Sequence, residues 1–290
     1  MWYDFWDNVS NFGSINLTQL NATASFLKRI DTKYLITEDQ LAAILEDLRP
    51  HFDVLEIDSK RIFSYDNVYM DSADYLFYHQ HEAKKESRTK IRTRLYKDCD
   101  MAFFEYKQKQ DGITKKFRYE FPSDEHGVMT KGKKRFFEWV WQSMYYGEKA
   151  PKITPSLKTT YNRLTLISKS AEERLTIDFN IRTLDLRNET ATPTALKNLV
   201  IIESKSLQEK CLSAKIIQSH DVKQAKSCSK YSLWIVYSGL VEKWTAFTNT
   251  IEKIKEIRTE TIKNNTRKKA VKQVEKTLNS TFTTTPLSLK

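Results

Sequence analysis

Apolar and polar positions alternate with a period of two through much of residues 26–121 and 156–206, which predicts strands. Successive side chains of a strand point to opposite faces, so residues two apart share a side. In the segment 87–97, Arg88, Lys90, Arg92 and Arg94 take one face, and Thr89, Ile91, Thr93 and Leu95 the other. The next segments repeat the arrangement. Glu105, Lys107 and Lys109 oppose Phe104 and Tyr106, and Lys116, Arg118 and Glu120 oppose Phe117, Tyr119 and Phe121. Farther on, Arg174, Thr176 and Asp178 oppose Leu175, Ile177 and Phe179, and Ile201, Glu203 and Lys205 line one side of their segment. The first strand, within 26–36, adds Arg29, Asp31 and Lys33.

Two stretches follow the helical period instead. Over 37–49, Thr37 and Gln40 have capping-box spacing, Leu41, Ile44, Leu45 and Leu48 form one apolar stripe, and Pro50 closes the segment. Residues 133–146 read as a second, heavily aromatic helix. The run 229–240 fits a buried helix or a strand equally well. Beyond Gly239, Trp244, Phe247, Ile251, Ile254 and Ile257 predict a long helix to about 277. The first 25 residues lack a clear period and read as a lead-in. The expected division is therefore 1–25, a main domain over 26–240, and a basic helix and tail over 241–290.

Charged rows of this kind fit a one-sided sheet facing water. They also fit a closed antiparallel barrel with a wide, wet interior, whose outward apolar residues need the helices at 37–49 and 133–146 as a jacket. The recurrence of Arg, with a carboxylate kept in nearly every row, favours the barrel.

Composition agrees with a folded chain: 40% of the 290 residues are hydrophobic, and only six Gly and six Pro interrupt them. No apolar run is long enough to cross a bilayer, and the first residues lack the pattern of a secretory signal. Cys99, Cys211 and Cys228 make neither a metal-ligand spacing nor an even disulfide set, so a cytoplasmic location is expected. The net charge of +11 predicts an acidic partner, and residues 241–290 carry a large share of it, with nine Lys and two Arg against five Glu. For that tail the simpler expectation is a helix packing its Trp244, Phe247 and Ile251 stripe on the barrel. The alternative is peripheral docking to an anionic membrane or a membrane protein.

Cations confined in a lumen repel one another unless a polyanion neutralises them, and Arg and Lys both suit phosphate oxygens. Hard divalent cations are held by one or two carboxylates together with phosphate oxygens and water, which makes Glu203, Glu105 and Asp31 candidate metal ligands. Ion pairing accounts equally well for Glu105 and Asp31. The histidines, His51, His79, His81, His126 and His220, accompany no nucleophile motif, and there is no phosphate-binding P-loop. His79 and His81 could share a strand face and bind a metal, although a structural role is the simpler reading.

The segments "RIDTKYLI", "RTKIRTRLY", "FFEYKQK", "KKFRYEF", "PSLKTTYNRLTL", "RLTIDFNI", "IIESK" and "SCSKY" occur in this order. The series resembles the polyphosphate polymerase domain of the vacuolar transporter chaperone complex and its bacterial relatives, within the triphosphate tunnel metalloenzymes, over about 26–240. That resemblance implies an α+β fold: an eight-stranded antiparallel β-barrel tunnel jacketed by helices, followed by a C-terminal helix. It implies an ATP:polyphosphate phosphotransferase that moves the ATP γ-phosphate onto a growing chain, releases ADP and uses Mn²⁺ or Mg²⁺. ATP and polyphosphate, and not nucleic acid, are then the expected partners.

Residue by residue, Lys33 matches the lysine that contacts the transferred phosphate. Arg92, Arg94 and Lys90 match the basic R-x-R strand, Lys107 and Lys116 the lysines of the next two strands, and Arg163 and Arg174 the arginines of the later ones. Glu203 looks like the metal-binding glutamate and Lys230 like the lysine near the tunnel end. Arg88 is similar to an arginine of bacterial members, and Arg29, Arg118 and Lys205 extend the substrate-binding rows. Lys226, also expected to bind substrate, sits one residue farther from the final pair than the family pattern has it. Two other functions fit such a chain: a tunnel-fold triphosphatase acting on inorganic triphosphate or nucleoside triphosphates, and a non-catalytic polyphosphate-binding module.

Overall fold

The structure is a computed structural model that describes residues 7–23 and 30–263. The alternating segments form strands, in chain order β1 (Gly13–Ile15), β2 (Ile30–Ile36), β3 (Phe52–Leu55), β4 (Ile62–Asp71), β5 (Arg88–Tyr96) and β6 (Met101–Gln110). They continue as β7 (Ile113–Phe121), β8 (Thr154–Ser168), β9 (Glu173–Asp185), β10 (Thr194–Ala195) and β11 (Val200–Ser206). Residues 7–10 are helical, and the helices after them are α1 (Leu17–Thr23), α2 (Glu38–Leu48), α3 (Leu76–Glu82), α4 (Lys131–Met144), α5 (Leu212–Ser219), α6 (Lys230–Tyr237) and α7 (residues 248–263).

Eight strands form one curled antiparallel sheet in the order β2-β11-β9-β8-β4-β5-β6-β7, with the short β1, β3 and β10 added alongside. It is a half-barrel: among the described residues no ladder joins β7 back to β2. The two edges are finished differently. Along β2, Tyr34 bridges Gln224 and the Ala225 N–H donates to the Lys33 carbonyl at 2.8 Å, so the chain entering α6 covers that edge. Nearly all of β7 is exposed, and its Lys115, Lys116 and Arg118 discourage edge-to-edge pairing.

The period-two pattern sorts the faces as predicted. Tyr34, Ile36, Leu164, Leu166, Leu175, Ile177, Val200 and Ile202 turn to the convex side and pack against Leu41, Ile44, Leu45 and Leu48 of α2. Each of those four side chains contributes about 1.5 to 3 kcal/mol relative to exposure. The capping box forms as expected: Thr37 Oγ1 accepts the Gln40 N–H at 3.2 Å, and Gln40 Oε1 accepts the Thr37 N–H at 3.0 Å. On the other convex half, Val68, Ile91, Phe104 and Tyr106 pack against Phe137, Val140 and Trp141 of α4.

Inside the curl, one end is dry. Leu35, Tyr69, Leu157, Tyr161 and Ile201 meet α6, whose Tyr231, Leu233, Trp234 and Ile235 are all buried. This settles 229–240: its apolar run is a helix because it is enclosed on every side. Phe247, Ile251, Ile254 and Ile257 join the same cluster, with Trp244 partly buried against it, so the tail's apolar stripe packs on the half-barrel. The helix begins at 248, later than Gly239, and its expected reach from 264 to 277 lies outside the described residues. The lead-in is ordered where described, with β1 pairing parallel to β3. Residues 76–82, where a strand would let His79 and His81 share a face, are instead helix α3. Two residues apart on a helix they diverge, His79 exposed and His81 half-buried, so they form no metal pair.

Candidate functional site

Three carboxylates, two buried and one half-buried, organise the cations of the concave face. The register sets Glu105 of β6 between Arg92 on β5 and Arg118 on β7. Arg92 Nη2 and Nε donate to Glu105 Oε2 at 2.6 and 2.7 Å. Lys116 Nζ and Arg118 Nε lie 2.6 and 3.2 Å from Oε1. Burial alone would push this carboxyl up, but Arg92, Arg94 and Lys116 hold it far below the usual carboxylate range. Glu105 is therefore engaged in the ion pairing that the sequence left open.

Asp178 of β9 is the second. Its oxygens take Arg163 Nε at 2.6 Å and Nη2 at 2.8 Å, a two-toothed fork, and Lys230 Nζ at 2.5 Å from the first turn of α6. The Asp178 side chain is 1% exposed. Tyr65 and Tyr161 stack at 5.3 Å and support these guanidiniums, with Arg163 4.9 Å and Arg94 5.4 Å from the Tyr65 ring centre. Arg94 also donates to Asn67 Oδ1 at 2.9 Å and to Tyr161 Oη at 3.3 Å.

Glu203 of β11 is the third. Lys33, its register partner on β2, donates to Oε1 at 2.8 Å, while Lys205 stands 3.9 Å from Oε2. Desolvation opposes its charge, yet Lys33, Lys205 and Lys230 hold the carboxyl well below its ordinary value.

Between these centres the cations crowd. Burial pushes the Lys90 ammonium well down, and Lys107, Lys33, Arg88 and Arg92 push it further. Lys107 is depressed by burial and by Lys33 and Arg92, although Glu203 and Asp31 partly compensate. Lys116 is pushed down to about 7, first by burial and then by Arg92 and Arg118, against the pull of Glu105. Rows from β2, β5, β6, β7 and β11 thus act on one another across the curl. The arrangement carries more cationic than anionic charge and has the chemistry to take a chain of phosphates.

The remaining predicted residues fall as follows. Lys90 donates to Ser229 Oγ at 2.8 Å, tying β5 to the N-cap of α6. Arg174 and Asp31 both stand opposite Lys205 in register, on β9 and β2. Arg88 donates to the Lys85 carbonyl at 3.1 Å. Lys226 is exposed on the segment before α6 and, among the described residues, joins no ion pair with the cluster. Arg29 lies outside the described residues. Sequence reasoning assigned no role to Asp178, Tyr161 or Ser229. Asp178 was legible, since it shares a face with Arg174, whereas Tyr161 and Ser229 enter through cross-strand and helix-to-strand contacts.

Among the described residues no three His, Cys, Asp or Glu side chains cluster to hold a metal ion. A hard cation that draws most of its ligands from phosphate and water needs only one carboxylate. Glu203 fits that need, because among the described residues its Oε2 is held only at 3.9 Å and the buried Thr176 Oγ1 on the adjacent strand has no hydrogen-bond partner.

A family model described as VTC domain matches residues 28–236. No curated protein matches the chain. Among solved structures, the PH1819 protein of Pyrococcus horikoshii is 14% identical with a TM-score of 0.41, the alignment covering 72% of this chain and 99% of that one. A putative adenylate cyclase of Bacillus halodurans is 12% identical with a TM-score of 0.40, covering 70% and 94%. One from Vibrio parahaemolyticus is 9% identical with a TM-score of 0.39, covering 71% and 97%.

Proposed function

Because the chain belongs to the VTC domain family, we propose that it is a polyphosphate polymerase, transferring the γ-phosphate of ATP to the end of a polyphosphate chain and releasing ADP. The observation that supports this most is the crowding of Lys33, Lys90, Lys107, Arg92 and Lys116 on one concave face, where burial first and cationic neighbours second depress Lys90, Lys107 and Lys116. Such a face is short of negative charge, and a linear phosphate chain supplies it along its length.

In the transfer, a terminal oxygen of the acceptor chain attacks the γ-phosphorus, and the bond to the β–γ bridging oxygen breaks with its electron pair leaving on ADP. The transition state is loose, so positioning and charge neutralisation carry the catalysis and no protein nucleophile is needed. Lys33, Arg92, Lys107, Lys116 and Arg174 address the reacting phosphates. Arg94 and Arg163, already held by Asn67, Tyr161 and Asp178, act as fixed positive charges behind them. Arg88, Lys90, Arg118, Lys205 and Lys230 line the path of donor and acceptor. A divalent cation, Mn²⁺ or Mg²⁺, held at Glu203, would neutralise charge on the phosphate oxygens.

Incubating the purified chain with ATP and Mn²⁺ tests the proposal. Long polymer on a gel with one ADP released per phosphate added is expected; orthophosphate without polymer means that water is the acceptor and the chain is a triphosphatase. Binding of polyphosphate with neither product would leave a binding module.

A further inference from the structure

We propose that Thr176 supplies, through Oγ1, a second protein oxygen to the divalent cation at Glu203. The inference rests on the reading of Glu203 given above. A buried hydroxyl without a hydrogen bond leaves its desolvation unrecovered, and nearly all buried polar atoms find a partner. Thr176 is 3% exposed, and among the described residues its Oγ1 has none. A valine would fill the same space in a strand without that cost.

The surroundings explain why no partner comes from the protein. Thr176 is the register partner of Glu203 on one side and of Thr165 on the other, so its side chain shares their face. Asp178, two residues along on that face, is filled by Arg163 and Lys230. Lys33 occupies Glu203 Oε1, while among the described residues Oε2 has only Lys205, at 3.9 Å. A loosely held carboxylate oxygen and an orphaned neutral oxygen therefore stand on adjacent strands. Two such oxygens, one charged and one neutral, suit a hard divalent cation that completes its sphere with water and phosphate.

The test uses the full chain and Mn²⁺ alone, with free ion followed by electron paramagnetic resonance. Glu203→Gln is expected to abolish binding. Thr176→Val should weaken it about tenfold, the scale of losing a supporting group at a metal site, and Thr176→Ser should restore it. Thr159→Val removes another orphaned hydroxyl, whose register partners are Asn67 and Thr183, and should leave Mn²⁺ affinity unchanged. Calorimetry with tripolyphosphate and a chelator should give the same affinity for Thr176→Val as for the unaltered chain. Wild-type Mn²⁺ affinity in Thr176→Val, with binding lost in Glu203→Gln, overturns the proposal and leaves the reading of Glu203 standing. A loss of metal-free tripolyphosphate binding in Thr176→Val also overturns it, assigning the hydroxyl to phosphate. If the unaltered chain binds no Mn²⁺, or Glu203→Gln binds it equally, the reading of Glu203 fails first.

Discussion

Asp178 and Glu203 sit on neighbouring strands of the same concave face, and both are ionised carboxylates surrounded by cations, yet they are built for different ends. Asp178 has both oxygens filled, by Arg163 and Lys230 within 2.8 Å, and its side chain is 1% exposed. Glu203 has one oxygen filled by Lys33 at 2.8 Å, the other held only at 3.9 Å, and its side chain is 18% exposed. A saturated carboxylate fixes architecture: it pins β8 to the N-terminus of α6, the helix that fills the dry end of the curl. An unsaturated one keeps coordination capacity for something that arrives. The lesson is that the sign of a buried charge says little about its role; what matters is how many of its lone pairs are already used.

The largest expected effect comes from breaking the saturated centre. Asp178→Asn leaves the Arg163 and Lys230 charges buried without their counter-ion, and a broken buried pair of this kind costs about 3 to 5 kcal/mol. Urea denaturation followed by circular dichroism should record that loss as a lower midpoint. Glu203→Gln, measured side by side, should lose clearly less stability. Equal losses in the two variants would erase the distinction and make Glu203 an architectural residue as well.

The difference between these carboxylates also marks where the sequence stops being readable. Strand faces and their rows were legible because a period of two is a local property, and the capping box at Thr37 and Gln40 is local too. Helix α3 was not legible. It starts from Tyr75 in the left-handed region at φ 58°; the Leu76 N–H donates to Ser72 Oγ, and the next two, those of Phe77 and Tyr78, donate to the carboxylate of Asp71 at 2.9 and 3.1 Å. That cap comes from the end of β4 and leaves no pattern inside the helix. Which carboxylate is saturated was hidden for the same reason. Lys230 reaches Asp178 across 52 positions of sequence only because α6 enters the curl.

The next effect distinguishes cations in the same way. Arg94 is nearly enclosed, with Asn67, Tyr161 and two tyrosine rings around it, whereas Arg92 is shared between Glu105 and the open face. Arg92→Ala should weaken ATP binding about tenfold, in line with losing a charged hydrogen bond worth about 1.5 to 3 kcal/mol, with a fall in urea midpoint limited by Lys116 and Arg118, which still hold Glu105. Arg94→Ala should lower the midpoint more than Arg92→Ala does. The reverse order in calorimetric and denaturation measurements would mean that enclosure does not separate architecture from binding on this face.

The smallest effect is a pH dependence seated at the exposed arm. Lys116 on β7 has its ammonium pushed down to about 7 by burial, Arg92 and Arg118, with Glu105 opposing. Below that value it is charged in the free chain; above it the charge is lost. A bound phosphate chain adds negative charge beside it and raises its proton affinity, so the complex holds more protons than the free chain. By linkage, affinity must then fall as pH rises through the interval between the free and the bound value. The γ-phosphate of ATP is already ionised across pH 7.5 to 9, so the trend there belongs to the protein. Calorimetry of ATP binding in buffers of different ionisation enthalpy should therefore record net proton uptake and a severalfold weaker affinity at pH 9 than at pH 7.5. Lys116→Arg keeps the charge at every pH in this range and should flatten the profile in part, Lys90 and Lys107 accounting for what remains. An unchanged profile in that variant would move the titration from the β7 edge to the enclosed lysines, and with it the point at which the free chain is short of charge.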